Sequence, residues 1–413
     1  QKNILRQTIQ NLIFVVLVHG CTKLSAHEAT GGKSMKKIVI IGANSFQNPL
    51  ILKAKEMGFE THVFAWQDGS VGEQTADFFY PVSIVEREVI LERCREIKPD
   101  AVISIGSDLA MLTVNYIAEK LGLPGNSMAC TLVSTNKYEM RKAFEKAGVP
   151  VPHFREADLD TSTEEFLGFS LPVIVKPTDR SGSRGITKLE NWEAFAEAVK
   201  LSVENSFEKK AIVEEYLEGE EYSCECISYK GSHYFLALTK KYTTGHPHFI
   251  ETGHLEPTGC TLEQMEVIKK EVFRALDALG VENGASHTEF MLDGNNQVRI
   301  IEVGARMGGD CIGSDLVPLS TGYDYVRMVI DVACGKKPEF VQAGKEGAAC
   351  IRFVFTHQDL EHLKYLKKEL PEHIHFISEM EPIQEGRVKD SSTRFGYYIL
   401  TFESLEEAKE YLT

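Results

Sequence analysis

The sequence predicts a multidomain protein of mixed α/β and α+β class. A parallel α/β domain over residues 35–134 follows an N-terminal extension (1–34); a larger α+β domain of two lobes covers 135–338, and a small α+β cap covers 339–413. Three observations carry this division. β-Branched runs alternate with helix-length apolar-periodic stretches from Lys37 to Gly122, the pattern of a parallel sheet with right-handed crossovers. Short apolar strands separated by glycine-rich or acidic turns then run from Leu171 to Val303. After Gly335-Lys336-Lys337-Pro338 come two more strand-like runs and a terminal helix that Ser404 can cap. The 413 residues, 43% hydrophobic and 25% charged, are enough for two to four domain cores.

In the first domain, Ile38 to Ile41 reads as a strand, Gly42-Ala43-Asn44 as a turn, and Leu50 to Met57 as a helix ended by Gly58. Thr61 to Ala65 and Ala101 to Ile105 are further strands; Val89 to Ile97 and Met111 to Leu121 are helices. Gly42 is the lone glycine of a GxGxxG dinucleotide fingerprint, so it reads as a tight turn.

Composition excludes several classes. With 45 Lys and Arg against 60 Asp and Glu, the net charge of −15 opposes nonspecific binding to nucleic acid or an anionic membrane. The nine cysteines lack CxxC or Cys/His spacing and read as reduced thiols in the cytoplasm. Leu12 to Val18 is an apolar run after Lys2 and Arg6, shaped like a secretion signal and too short to span a bilayer. His19, two before Cys21, fits a lipoprotein cleavage site poorly. Met35-Lys36-Lys37 precedes a strand as a natural start would, so residues 1–34 read as an extension or expression remnant. Gly32-Lys33-Ser34 is no phosphate loop, because the position needing glycine is His27.

From residue 135 the polar residues form an ordered series. Thr135-Asn136-Lys137 opens a helix that runs to Gly148, with either Thr135 or Asn136 as cap. Leu171 to Pro177 is a strand ending at Lys176; the small-residue loop Ser181-Gly182-Ser183-Arg184-Gly185-Ile186 follows. A lysine point charge before a loop whose backbone N–H groups approach closely suits a polyphosphate. Ala211 to Val213 then leads into Glu214-Glu215-Tyr216-Leu217 and on to Glu221, an acidic hinge whose carboxylates accept hydrogen bonds and whose backbone can line a base.

Ser286 to Leu292, Asp293-Gly294-Asn295-Asn296 and Gln297 to Val303 read as a hairpin. With the turn centred between Asn295 and Asn296, Glu289 faces Glu302; a three- or five-residue loop breaks that pairing. Directly opposed like charges cost about 0.2–1 kcal/mol. A hard divalent ion shared with phosphates removes the conflict, Mg²⁺ before Mn²⁺. The turn Gly304-Ala305-Arg306-Met307-Gly308-Gly309 follows. Thr239 to His254 reads as a long polar loop beside the site; its His246 and His248, split by Pro247 and without further ligands, read as surface residues.

In this order the four elements resemble the ATP-grasp superfamily, and within it the carboxylate-amine ligases: L-amino acid ligases and carbamoyl phosphate synthase large-subunit modules. The resemblance spans about Met35 to Pro338. It implies a two-lobed ATP-grasp domain with its glycine-rich lid lobe at about 150–216, ATP and Mg²⁺ (or Mn²⁺) as cofactors, and small-molecule carboxylate and amine substrates. Nucleic acid and membrane are not implied partners; a homodimer is.

By the same resemblance, Lys137 and Lys176 bind nucleotide phosphates and Ser181, Gly182, Ser183 and Gly185 form the lid. Glu214 accepts from the adenine amino group, Glu215, Tyr216 and Leu217 line the base, and Glu221 holds the ribose. Glu289 and Glu302 carry the metal, although Gly304 stands where many relatives have a ligating Asn. Arg306 and Lys176 are the catalytic candidates; Glu251, His287, Arg306, Gly308 and Gly309 are candidates for substrate contact. The implied reaction is amide formation, possibly of a dipeptide, through an acyl phosphate. Its alternatives are a carbamoyl- or purine-type ligase using bicarbonate, and an ATP-binding module that does not turn over.

Overall fold

Strand β1 (Lys37–Ile41) sends Ile38 and Ile40 into one apolar cluster and Val39 and Ile41 into another, so its uninterrupted apolar run is explained by burial on both faces. It lies in a parallel sheet with β2 (Glu60–Ala65), β3 (Phe78–Pro81) and β4 (Ala101–Ile103), in the order β3-β2-β1-β4. The computed structural model describes residues 35–411 apart from Pro247, His248, Ala343 and Lys345. The expectations for residues 1–34, including the Leu12 to Val18 run and Cys21, and for His248 lie outside the described residues.

A second, antiparallel sheet is ordered β5-β8-β6-β7, from β5 (Phe154–Ala157), β6 (Val173–Pro177), β7 (Thr187–Leu189) and β8 (Ala211–Glu215). Phe166, Phe195 and Val199 pack beneath it. The largest sheet has eight antiparallel strands. Its first five are β9 (Glu220–Tyr229), β10 (Ser232–Thr243), β11 (Glu251–Glu256), β12 (Gly284–Leu292) and β13 (Val298–Gly304). β14 (Ala348–Phe353), β15 (Ile374–Ile377) and β16 (Tyr397–Phe402) complete the order β13-β12-β9-β10-β11-β14-β16-β15. The C-terminal segment therefore extends this sheet, β14 covering the edge that β11 would otherwise expose.

Alternation along the large sheet separates core from site. Cys224, Cys226, Leu238, Phe290 and Ile300 pack with helix Leu262–Leu279, while Glu225, Lys241, His287 and Glu289 occupy the other face. Helix Lys137–Ala147 joins the same core through Met140 and Phe144; Asn136 caps it by accepting from the Tyr138 and Glu139 amides, and Gly148 ends it at φ +67°.

Three sequence expectations change here. The stretch Thr239 to His254 is mostly strand, with β10 running to Thr243 and β11 starting at Glu251, because Lys241 turns into the sheet face among carboxylates. β3 and β15, short edge strands with half-exposed patterns, escape the alternation test. The hairpin loop is the five-residue Asp293–Gln297 form that should misalign the two glutamates. A bulge between Glu289 and Phe290 leaves Ile301 unpaired, and Glu289 still faces Glu302.

Phe144 is fully buried at the joint between helix Lys137–Ala147 and the sheet core. Phe144→Ala should lower unfolding free energy by about 3–5 kcal/mol, measured by urea denaturation.

Candidate active site

A cavity of about 670 Å³ opens between the polar face of the large sheet, the four-stranded sheet and Gly106 of the N-terminal domain. Of the residues expected from sequence, all but Gly185 and Gly308 line it. Gly185, at φ +67°, packs instead on Asn205, and Gly308 sits behind the cavity wall against Glu225.

At one end are the two lysines. Lys137, in the first turn of its capped helix, places Nζ 2.7 Å from Glu302 Oε1 and donates to the Arg180 carbonyl at 2.7 Å. Lys176, at the end of β6, places Nζ 2.6 Å from Glu214 Oε2, while Arg141 Nε lies 2.5 Å from Glu214 Oε1. Burial pushes the Lys176 ammonium down; Glu214 offsets this in part, and repulsion from Arg141 and Lys137 adds to it, leaving it below the usual lysine range. For Glu214, burial raises the carboxyl, but Arg141 and Lys176 outweigh it and hold it below the usual range. Expected to accept from an adenine amino group, Glu214 thus has a cation on each oxygen and orients Lys176. Glu215 turns to accept from the Ser170 amide at 3.0 Å, and the Tyr216 amide donates to the Pro172 carbonyl.

The lid loop lies over this end. Gly182 and Ser183 adopt left-handed φ values of +72° and +57°, and the Gly182 carbonyl accepts from the Ser391 amide at 3.3 Å. Ser183 Oγ donates to the Phe249 carbonyl at 3.0 Å.

In the middle, Lys241 Nζ lies 2.8 Å from Glu221 Oε1, 2.7 Å from Glu289 Oε1 and 3.9 Å from Glu251 Oε1. Burial disfavours its charge, yet Glu221, Glu289 and Glu251 raise it well above the usual lysine value. Glu221, expected to hold a ribose, is therefore ion-paired. His287 Nε2 is 3.1 Å from Glu289 Oε1, and His287 Nδ1 is hydrogen-bonded to Glu225 Oε1. Burial lowers the His287 value, but Glu225 and then Glu289 raise it to about 9, so the ring is cationic at neutral pH. The opposed Glu289 and Glu302 are thus each neutralised by the protein's own cations. Two carboxylates on adjacent strands, in a cavity that no cysteine among the described residues lines, form an oxygen donor set suited to a hard divalent ion. Among the described residues no group of three or more His, Cys, Asp or Glu is arranged to hold a metal alone.

Close enough to Glu302 to feel its charge, Arg306 donates Nε and Nη2 to the two oxygens of Asp108 at 2.9 and 3.0 Å. A Cβ at Gly304 would lie 2.8 Å from the Arg306 guanidinium carbon, so the glycine there makes room for this side chain. Glu251 Oε2 accepts from Ser391 Oγ. Asp310 takes a two-pronged bond from Arg394 at 2.9 and 2.6 Å.

Sequence reasoning missed Arg141, Lys241, Asp108, Glu225, Asp310, Ser391 and Arg394. Lys241 had a signal: it is a lysine in the stretch read as lying beside a site to which Glu221, Glu251 and Glu289 were all assigned. Asp108, separated from Arg306 by 198 positions, had none.

A family model described as an ATP-grasp domain matches residues 169–315. The alanine-anticapsin ligase of Bacillus subtilis is 27% identical over 359 residues, 78% of this chain and 75% of that protein. A D-alanine-D-alanine ligase of Hydrogenovibrio crunogenus is 26% identical over 223 residues, 50% of this chain and 66% of that protein. The solved structure of an L-amino acid ligase from Bacillus licheniformis matches with a TM-score of 0.76 at 21% identity, covering 92% of this chain and 96% of that one, which shows a shared fold.

Because the His287 value is raised on folding from 6.5 to about 9, its stabilisation is complete below about pH 6.5 and is lost as pH rises through about 9. Urea denaturation should therefore show lower stability at about pH 9.5 than at pH 7, by about 3 kcal/mol at most, and a shallower slope in His287→Gln. Equal slopes in the two proteins would remove His287 as the cause.

Proposed function

From the premise that residues 169–315 form an ATP-grasp domain, we propose that this chain is an ATP-dependent carboxylate-amine ligase. It forms an amide bond between amino-acid-like substrates, giving ADP and phosphate. The observation that carries this reading is the direct pairing of Glu289 with Glu302 in the cavity that also holds Lys137, Lys176 and Arg306. The similarity to an alanine-anticapsin ligase and a D-alanine-D-alanine ligase supports the choice of an amine acceptor.

In the first step a substrate carboxylate oxygen bonds to the γ-phosphorus as the bond to the β–γ bridging oxygen breaks, and ADP leaves. In the second an amine attacks the acyl carbon, the carbon–oxygen bond to phosphate breaks, and a proton is released. Phosphoryl transfer needs positioning and charge neutralisation from the protein. Lys137 and Lys176 meet the phosphates, and Arg306, pre-aimed by Asp108, meets the transferred group. Glu289 and Glu302 would hold the divalent ion, Mg²⁺ by its preference for carboxylate oxygen, which supplies further neutralisation of phosphate charge when bound. Lys137 and Lys241, paired here with Glu302 and Glu289, would supply positive charge to the phosphates beside those carboxylates.

The lid over Lys176 excludes water from the acyl phosphate. No thiol nucleophile is needed, and burial pushes the Cys311 thiol well above its usual value, keeping it protonated. The cytoplasmic setting rests on the spacing of the cysteines in the sequence and the homodimer on the family resemblance.

Incubation with ATP, Mg²⁺ and pools of amino acids should give phosphate release that depends on the amino acids, with a new amide product by mass spectrometry. Release without any acceptor would defeat the assignment, and release stimulated by bicarbonate would move it to the carboxylating type. Glu302→Gln should cut turnover by about 100-fold or more while the thermal unfolding midpoint is kept. A variant with normal turnover would refute the role of the paired carboxylates.

A further inference from the structure

Glu225 belongs to none of the groups assigned above. It sits in the middle of β9, fully buried, directly opposite His287 on β12. One oxygen is hydrogen-bonded to His287 Nδ1; the other accepts from the Gly308 amide at 3.0 Å. Each partner leads to a residue of the phosphoryl-transfer end. His287 Nε2 reaches Glu289 at 3.1 Å, and Gly308 lies two residues after Arg306. The approach is so close that a Cβ at Gly308 would lie 2.5 Å from Glu225 Oε1 and 2.9 Å from His287 Nδ1, which is an independent reason for glycine at that position.

We propose that Glu225 is a positioning residue for phosphoryl transfer, locking the Glu289 carboxylate, through His287, and the Arg306 turn, through Gly308, into one fixed relative placement. The inference rests on the ligase reading and deepens it. Without such a tie, Glu289 is a flexible side chain drawn by Lys241 toward Glu221 and Glu251, and Arg306 is held by Asp108 of the N-terminal domain and by the carbonyl of its own neighbour Met307. A carboxylate with two oxygens at fixed separation suits this task, because it accepts from a side chain on one strand and from a backbone amide beyond another. Small errors of placement in such a site cost large factors in rate.

The test compares Glu225→Gln with Gly308→Ala. The first keeps the shape but turns one acceptor into a donor; the second leaves the carboxylate and pushes the turn away from it. Both should lower kcat by about 10- to 100-fold. The calorimetric Kd for ADP measured without Mg²⁺ should stay within about 3-fold of the wild type, because the residues that meet the nucleotide itself are untouched. The double variant should lose little more than either single one, as expected of changes to one shared contact. Equal kcat in Glu225→Gln and wild type, parallel loss of ADP affinity, or multiplicative effects would overturn the proposal. Loss of the cooperative thermal transition in both variants would also overturn it, in favour of a purely structural role. A wild-type protein without substrate-dependent ADP formation would instead defeat the ligase reading, so the two failures are distinguishable.

Discussion

Two carboxylates facing each other across neighbouring strands are the constraint around which this site is built. Glu289 and Glu302 repel, and the surrounding residues answer that repulsion with charge: Lys241 and His287 lie against one, Lys137 against the other. In a cavity where Lys137, Lys176 and Lys241 are each nearly buried, such pairing is required, because an isolated buried charge is strongly disfavoured. Anions and cations therefore alternate through the site. In the ligase reading, a nucleotide carrying phosphates and a divalent ion would exchange partners with these groups without leaving any of them uncompensated.

The scaffold separates rigid from movable parts. Strand alternation gives the large sheet one apolar face, packed with helix Leu262–Leu279, and one polar face, so the carboxylates stand on the stiffest part of the molecule. The cavity-lining loop at Gly182 and Ser183 is held by single hydrogen bonds, to the Ser391 amide and the Phe249 carbonyl. In the ligase reading this loop would be a lid that opens for nucleotide, and a few exchangeable bonds permit that. The C-terminal strands extend the sheet, and the segment between β15 and β16 brings Ser391 to Glu251 and to the Gly182 carbonyl and Arg394 to Asp310.

Much of this was readable from spacing. The capped helix start at Asn136, the lysine ending β6 and the hairpin bearing two glutamates each have a local signature, and each appears at or within a few residues of its expected bounds. The glutamate register shows the limits of such reading. A five-residue loop alone would have moved the pairing by one residue, and the bulge at Ile301 that restores it has no local marker. Its Ile301 carbonyl accepts from Arg141, a tertiary contact that helps hold the extra residue. Lys241 was misread for a related reason, because a run of polar residues looks like a loop until the carboxylates that bury it are known.

The expected ligand came from the family resemblance that the cavity-lining segments carry, while local backbone chemistry and apolar periodicity were enough to predict most element types and the order of those segments. These depend on residues close together in the chain, where steric limits and hydrogen-bonding capacity leave few options. Which cation answers which anion came from folding alone: Arg306 with Asp108, Arg394 with Asp310, His287 with Glu225. Coulomb attraction depends on distance in space and is indifferent to separation along the chain, so no pattern in a linear string records it.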